Sequence, residues 1–126
     1  MSFNWLGYLN TAQELMNKVD EFSDQEAIYR ASVSRAYYAV FCLARNYVKD
    51  NDKTEFYGND HQRLQDYLIG HAYKPRKTIG KRLRDLHQHR IKADYHDELD
   101  EPAIYKATKA ISIAKTIVQG LTEIYS

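Results

Sequence analysis

Apolar residues recur every three or four positions along most of the chain, which is the spacing of one face of an α-helix. The pattern is clearest near the C-terminus, where the apolar positions are Ile104, Ala107, Ile111, Ala114, Val118, Leu121 and Tyr125. The chain has two prolines and five glycines, and it lacks alternating apolar and polar runs bounded by turn residues, so little of it can form a sheet. The pattern therefore predicts an all-α protein.

The periodic segments predict four main helices and one short helix. Their approximate extents are from residue 4 onward, 24–49, 60–69 for the short helix, 76–95, and from the acidic turn 97–101 to the C-terminus. Asp24 and Asp100 are suitable N-caps, because a short carboxylate can accept hydrogen bonds from the first backbone N–H groups of a helix. Gly70 is expected to end the short helix, and Pro75 to separate it from the next one. These elements predict an antiparallel up-and-down bundle that forms a single domain over residues 1–126.

Length and composition limit the kind of protein this is. A chain of 126 residues can form one domain whose core needs no disulfide or structural metal. The one cysteine, Cys42, lies in an apolar run, which is typical of a reduced, buried thiol in a cytosolic protein. The longest apolar run, 36–44, is shorter than the about 20 residues that span a membrane, and the N-terminal residues lack a signal-peptide pattern. We therefore expect a cytoplasmic protein without a membrane segment.

The charge is balanced over the whole chain, with 18 basic and 17 acidic side chains, but it is uneven along it. Residues 61–96 contain nine Lys or Arg, three Asp or Glu, and all five histidines. Lys77, Lys81 and Arg84 share the exposed side of the predicted helix 76–95, where they can bind phosphates of a nucleic acid. An ordinary solvated helix face would have a similar composition, so both interpretations remain open.

Two segments place an arginine on the apolar side of a helix. Arg35 falls on the same side as Cys42, and Arg90 on the same side as Leu86. An unpaired guanidinium is costly to bury, so each arginine should find a carboxylate, a carbonyl or a ligand. Asp94 follows Arg90 by one turn and can pair with either arginine. One interpretation is therefore an ion pair that only holds the bundle together.

The other interpretation adds His96 and is catalytic. On a continuous helix, the side chains of Arg90 and His96 would lie about 240° apart. They converge only if the helix ends or bends near Tyr95, or if a second subunit supplies one of them. A histidine that titrates near neutral pH can then act as general base or acid toward an RNA 2′-hydroxyl. The guanidinium would stabilise the charge that develops on the phosphate, and no metal or other cofactor is expected.

Two sequence segments resemble the HEPN family: Ser-Arg-Ala-Tyr-Tyr-Ala-Val-Phe at 34–41, and Arg-x-x-Ala-Asp-Tyr at 90–95. The resemblance covers nearly the whole chain and includes a basic helix after a loop. It implies an all-α bundle, commonly a homodimer. It also implies either nucleotide or RNA association, often beside a small nucleotidyltransferase, or metal-independent RNA cleavage.

The cleaving members of that family carry an arginine, four to six intervening residues and a histidine, which Arg90 and His96 match with five between them. Two positions differ from the usual pattern of active members. Ile91 stands where a polar residue is usual, and Glu98 stands where a tyrosine is frequent.

Two function classes follow from these observations. In the first, the protein is a metal-independent endoribonuclease of the toxin or defence type, with Arg90 and His96 as catalytic residues. Asp94, Arg35 and Tyr95 would then support or orient them. In the second, it is a non-catalytic module that binds RNA, a nucleotide or a nucleotidyltransferase antitoxin. A dimeric scaffold without a ligand is the third alternative.

Overall fold

A computed structural model describes residues 3–125, which contain five α-helices and no β-strand. The helices are α1 (Leu6–Asn17), α2 (Gln25–Asp52), α3 (Asp60–Ile69), α4 (Lys74–Tyr95) and α5 (Ala103–Tyr125), with a 3-10 turn, Val19–Glu21, between α1 and α2. The prediction of an all-α bundle with four main helices and one short helix is confirmed. Helix α2 is central, because it packs against α1, α4 and α5.

Of the residues predicted to mark helix ends, some do so in the structure and others do not. Asp24 caps α2, since its carboxylate accepts a hydrogen bond from the backbone N–H of Ala27 at 3.0 Å. Pro75 lies inside the first turn of α4 and not between two helices, which is permitted because that position needs no N–H donor. Asp100 does not cap α5 as expected; its carboxylate pairs at 2.7 Å with Lys106, whose side chain is buried.

The core is built around α2, which is buried on more than one side. Its buried residues are Ser32, Val33, Ser34, Ala36, Tyr37, Ala39, Val40, Phe41, Cys42, Ala44 and Val48. Leu64 and Leu68 of α3, together with Leu83 and Leu86 of α4, complete part of this core. The Cys42 thiol is free and buried, as predicted. Within residues 3–125, none of the helices has the length and apolar character needed to cross a membrane.

Helices α3 and α4 approach each other closely at Gly80. A Cβ atom at this position would lie 2.8 Å from the backbone nitrogen of Ile69 and 2.9 Å from Cβ of Leu68. Carbon atoms in contact are normally about 3.5–4.0 Å apart. Only glycine therefore allows this crossing, which fixes α4 against α3.

A polar cluster joins the ends of four helices. Asp52, the last residue of α2, accepts hydrogen bonds from Arg76 of α4, from the Tyr67 hydroxyl of α3 at 2.8 Å and from the Tyr125 hydroxyl of α5 at 3.3 Å. Burial raises the pKa of Asp52, but the hydrogen bonds from Arg76 and the tyrosines outweigh it, so the pKa is lowered overall. The carboxylate is therefore held in its charged form.

Candidate functional site: an arginine-lined cleft

A cleft of about 480 Å³ lies between the start of α1, the middle of α2 and the last turns of α4. Its residues are Trp5, Tyr8, Ser34, Arg35, Tyr38, Phe41, Cys42, Arg45, Arg90 and Asp94. Three of these residues are arginines, one is an aspartate and four are aromatic, so the cleft carries net positive charge. We call it the arginine cleft.

Helical spacing brings the α2 residues of the cleft to one face. Arg35, Tyr38, Cys42 and Arg45 follow one another at intervals of three or four residues, which places their side chains along one side of α2. Tyr37 lies between them in sequence but points into the core, where it is fully buried. The Arg-Ala-Tyr-Tyr segment therefore supplies the cleft with one tyrosine and the core with the other.

Arg90 and Asp94 form an ion pair within α4. The Nε group of Arg90 donates to Oδ2 of Asp94 at 2.8 Å, and the Ser34 hydroxyl of α2 donates to the same oxygen at 3.2 Å. The Nη groups of Arg90 make no hydrogen bond to any residue in the range 3–125. Every buried side-chain nitrogen in this range has a hydrogen-bond partner. The Nη groups have none, so they are not buried and their N–H groups reach solvent. Asp94 thus orients Arg90 and leaves its outer edge free for a ligand.

Each arginine of the cleft lies near an aromatic ring. The distances from the guanidinium carbon to the ring centre are 4.8 Å for Arg35–Tyr8, 5.7 Å for Arg45–Trp5 and 4.9 Å for Arg90–Tyr38. Such stacking holds the plane of the guanidinium while its N–H groups stay available to an anion. Arg35 pairs with these rings and not with Asp94, so the ion pair belongs to Arg90.

Tyr95 and His96 lie where α4 ends. Tyr95 is the last helical residue, and its exposed ring is 5.4 Å from the Arg90 guanidinium. The next residue, His96, has extended backbone, with φ of −91° and ψ of 132°. The helix therefore ends where convergence of Arg90 and His96 requires it to end. His96 is nevertheless exposed, and its ring does not line the arginine cleft formed within residues 3–125.

Arg30 fixes the end of α4, and the sequence patterns did not indicate it. Its guanidinium donates to the carbonyl of Ala93 at 3.1 Å, to that of His96 and to that of Asp97 at 3.1 Å. Carbonyls at the C-terminal end of a helix have no helical partner. Arg30 of α2 therefore positions the backbone of His96 from a neighbouring helix.

Two histidines behind the cleft form a second feature that the sequence did not indicate. The His61 ring stacks on Phe41 at 4.0 Å and on His87 at 5.0 Å. Nδ1 of His61 lies 2.6 Å from the Tyr37 hydroxyl, and Nδ1 of His87 lies 2.9 Å from the Gln65 amide nitrogen.

Burial lowers the pKa of both imidazoles, that of His87 to about 4, and the positive charge of Arg90 acts in the same direction. They are therefore neutral at pH 7 and add no charge to the site. Among residues 3–125, no group of three or more His, Cys, Asp or Glu side chains is arranged to hold a metal ion.

The basic residues predicted to bind phosphate lie on another surface. Lys81 and Arg90 are nine residues apart on α4, so their side chains point about 180° from each other. Lys81 and Arg84 are exposed and Lys77 is half-buried, while Arg84 is paired with Asp66 of α3. Phosphate binding by this face stays a prediction, and it would be separate from the arginine cleft.

A family model described as HEPN domain matches residues 7–124. The match takes in nearly all of the five helices and every residue of the arginine cleft except Trp5. No curated protein and no solved structure matches the chain.

Proposed function

The chain belongs to the HEPN domain family, and from that premise we propose that it acts on RNA through the arginine cleft. Family membership supports a role with nucleotides or RNA in general terms. The observation that carries the more specific proposal is the convergence of Arg35, Arg45 and Arg90 on one cleft that contains a single carboxylate, Asp94. Three guanidinium groups with free N–H edges are suited to the non-bridging oxygens of a phosphodiester.

The aromatic residues of the cleft favour an unpaired strand. Single-stranded RNA is bound where cations follow the backbone and aromatic rings stack on splayed bases. Tyr8 and Tyr38 bring aromatic rings into the cleft, where each already stacks with an arginine on one face, so a base would stack on the other face. Double-stranded RNA does not expose its base faces, so it could bind the arginines through its phosphates but could not stack on the aromatic rings.

For the chemical step we propose metal-independent cleavage with Arg90 and His96 as catalytic residues. The imidazole of His96 takes the proton of an RNA 2′-hydroxyl, the 2′-oxygen attacks phosphorus, and the bond from phosphorus to the 5′-oxygen breaks. A proton from an acid or water goes to the leaving 5′-oxygen. The products are a 2′,3′-cyclic phosphate and a 5′-hydroxyl. Arg90 stabilises the phosphate charge in the transition state, with Asp94 and Ser34 as positioning residues.

His96 would complete this site from a second copy of the chain. HEPN domains commonly form dimers, and His96 is exposed just beyond the cleft-bearing helix. A homodimer would place the histidine of one subunit against Arg90 of its partner. In that arrangement Tyr95, whose exposed ring lies beside Arg90, would belong to the same interface.

An RNA cleavage assay in excess chelator tests the proposal. The wild type should cleave single-stranded RNA, whereas Arg90→Gln and His96→Ala should lose at least about 100-fold in rate, the usual scale for general acid–base groups. Arg63→Gln, which removes an exposed arginine of α3 outside the cleft, serves as the matched control and should cleave normally. Cleavage that persists in both site variants would contradict the assignment.

A second candidate function is a binding module that does not cleave RNA. It is favoured by the absence of any histidine from the cleft lining in the described part of the chain, and by the neutral, hydrogen-bonded state of His61 and His87 behind it. Such a module would hold RNA or a nucleotide, or dock a nucleotidyltransferase. Binding that depends on Arg90 without any cleavage would support this alternative.

A further inference from the structure

A second cavity adjoins the arginine cleft at Arg45, which lines both. Its volume is about 170 Å³, and it lies between the second half of α2, the loop 53–59 and the start of α3. A protein cavity of about 150 Å³ can hold one benzene ring. The cavity is therefore large enough for one six-membered ring, and it lies next to a site proposed for phosphate.

The lining of this cavity is mostly polar or charged, and two of its residues are aromatic. Phe56 and Tyr57 from the loop line it, and the Phe56 ring packs against that of Tyr67 at 5.8 Å. The Tyr57 hydroxyl donates to Glu55 at 2.8 Å, and Lys49 pairs with the same carboxylate at 3.3 Å. The charges of Glu55 and Lys49 are thus satisfied by each other and by Tyr57.

Asp60 is the carboxylate of the cavity that has no such partner. It is half-buried at the start of α3, and it makes no hydrogen bond or ion pair through its side chain with any residue in the range 3–125. An ionised carboxylate only accepts hydrogen bonds and can accept two side by side. Asn46, another lining residue, uses its amide oxygen to accept from Arg45 at 3.2 Å, which leaves its N–H groups free to donate.

We propose that this cavity, which we call the base pocket, binds one unpaired guanine of an RNA strand. The proposal rests on the proposed function, because the adjoining phosphate would lie in the arginine cleft. The Watson–Crick edge of guanine carries two adjacent donors, N1–H and the N2 amino group, which match the two oxygens of Asp60. Its O6 acceptor matches the amide N–H of Asn46, and the ring stacks on Phe56.

The other bases fit this set of groups less well. Adenine and cytosine each present an amino group next to a ring nitrogen that only accepts, and that nitrogen would face the carboxylate without a proton. Uracil presents one N–H between two carbonyl oxygens. A bidentate contact of the guanine kind typically distinguishes the correct base by about tenfold or more.

Calorimetric titration of the full chain with the four nucleoside 5′-monophosphates tests the inference. Guanosine monophosphate should bind at least about tenfold more tightly than the other three. Asp60→Asn should remove this preference, and Asn46→Ala should reduce it. Asp66→Asn, which removes another carboxylate of α3 outside the pocket, is the matched control and should keep the preference. Circular dichroism establishes that each variant is folded.

The same titrations separate the inference from the proposed function. Arg90→Gln should weaken all four nucleotides by a similar factor and leave the guanine preference intact. Equal affinity for all four bases, or a preference that survives Asp60→Asn, would overturn the base pocket while an effect of Arg90→Gln still supports the cleft. A guanine preference together with affinities that do not change in Arg90→Gln would keep the pocket and contradict the phosphate site. Failure of every nucleotide to bind would overturn both.

Discussion

Ser34 and Arg90 donate hydrogen bonds to the same oxygen of one carboxylate, Oδ2 of Asp94, at 3.2 and 2.8 Å. The contact joins α2, which carries two cleft arginines, to α4, which carries the third. It uses one N–H group of Arg90 and leaves the Nη groups toward solvent. A structural role and a ligand-binding role for Arg90 are therefore compatible.

Replacement of Asp94 tests the structural part of this contact. Asp94→Asn keeps an oxygen that can accept from Ser34 but removes the charge that faces Arg90, whose side chain is only 13% exposed. Charge-assisted hydrogen bonds are stronger than neutral ones, so the free energy of unfolding should fall by about 1 kcal/mol. Urea denaturation measures this change. Asp85→Asn, an exposed carboxylate on the same helix, should change stability by less than about 0.5 kcal/mol; equal effects of the two variants would contradict the prediction.

The close approach of α3 and α4 gives a prediction for Gly80. Gly80→Ala would place a Cβ atom 2.8 Å from the backbone of Ile69, which cannot move as a flexible side chain can. Overpacking of this kind costs about 1–3 kcal/mol. Gly7→Ala in α1 is the matched control, since the position of its new methyl group has no neighbouring atom within 4 Å, and it should stabilise the protein by up to about 1 kcal/mol. Thermal melting of both variants should therefore give shifts of opposite sign.

The buried histidines predict a dependence of stability on pH. The pKa of His87 is lowered from 6.5 to about 4 in the folded protein, mainly by burial, and the pKa of His61 is lowered too. Between pH 6.5 and about 4, His87 is protonated in the unfolded chain but neutral in the folded protein. The unfolded state therefore binds more protons, and the free energy of unfolding falls as the pH is lowered through this range.

Urea titrations across that pH range, on the wild type and on His87→Leu, measure this effect. The variant is less stable overall because Gln65 loses its hydrogen-bond partner, but its stability should change less steeply with pH. An unchanged slope in His87→Leu would show that other groups control the pH dependence.

Arg30 predicts a local effect at the end of α4. Arg30→Met retains much of the side-chain volume but loses the donors to the carbonyls of Ala93, His96 and Asp97. Hydrogen exchange of the backbone amides in residues 93–99 should become faster, while the core of α2 should remain protected. Arg30→Lys, which can restore one of the contacts, should give an intermediate rate. Unchanged exchange in Arg30→Met would contradict a positioning role.

Salt dependence distinguishes the arginine cleft from the basic face of α4. For single-stranded RNA, each neutralised phosphate adds about −0.7 to the slope of log K against log salt concentration, so three cleft arginines give a slope of about −2. Removal of Arg35, Arg45 or Arg90 should each reduce the magnitude of that slope by about 0.7. Lys81→Gln changes the slope only if the opposite face of α4 also binds phosphate, which tests the prediction for Lys77, Lys81 and Arg84.

The fold could be predicted from the sequence because its main signals are local. Apolar periodicity identifies each helix, and Asp24 identifies the start of α2 by a hydrogen bond to a residue three positions away. The sequence does not determine where Pro75 lies, because proline is found both in loops between helices and in the first turn of a helix. The family resemblance carried by 34–41 and 90–95 is confirmed by the match to residues 7–124.

The site could be predicted only where one helix holds both partners. Arg90 and Asp94 are one turn apart, so their pairing follows from spacing. Arg30 acts on carbonyl groups more than 60 residues away, and any residue type can offer a carbonyl. The stacking of His61 on His87 likewise depends on how α3 crosses α4, which Gly80 permits and no periodicity indicates. The roles of Arg90 and His96 in cleavage stay predictions.

The Asp52 cluster has a consequence for the stability of the bundle. The carboxylate at the end of α2 is anchored by side chains of α3, α4 and α5, and its partner Tyr125 is the last residue that the structure describes. Local fraying of α5 would therefore deprive a partly buried charge of a donor and loosen three other helices with it. Removal of the Tyr125 hydroxyl would therefore be felt at the ends of α2, α3 and α4, which meet at the same anion.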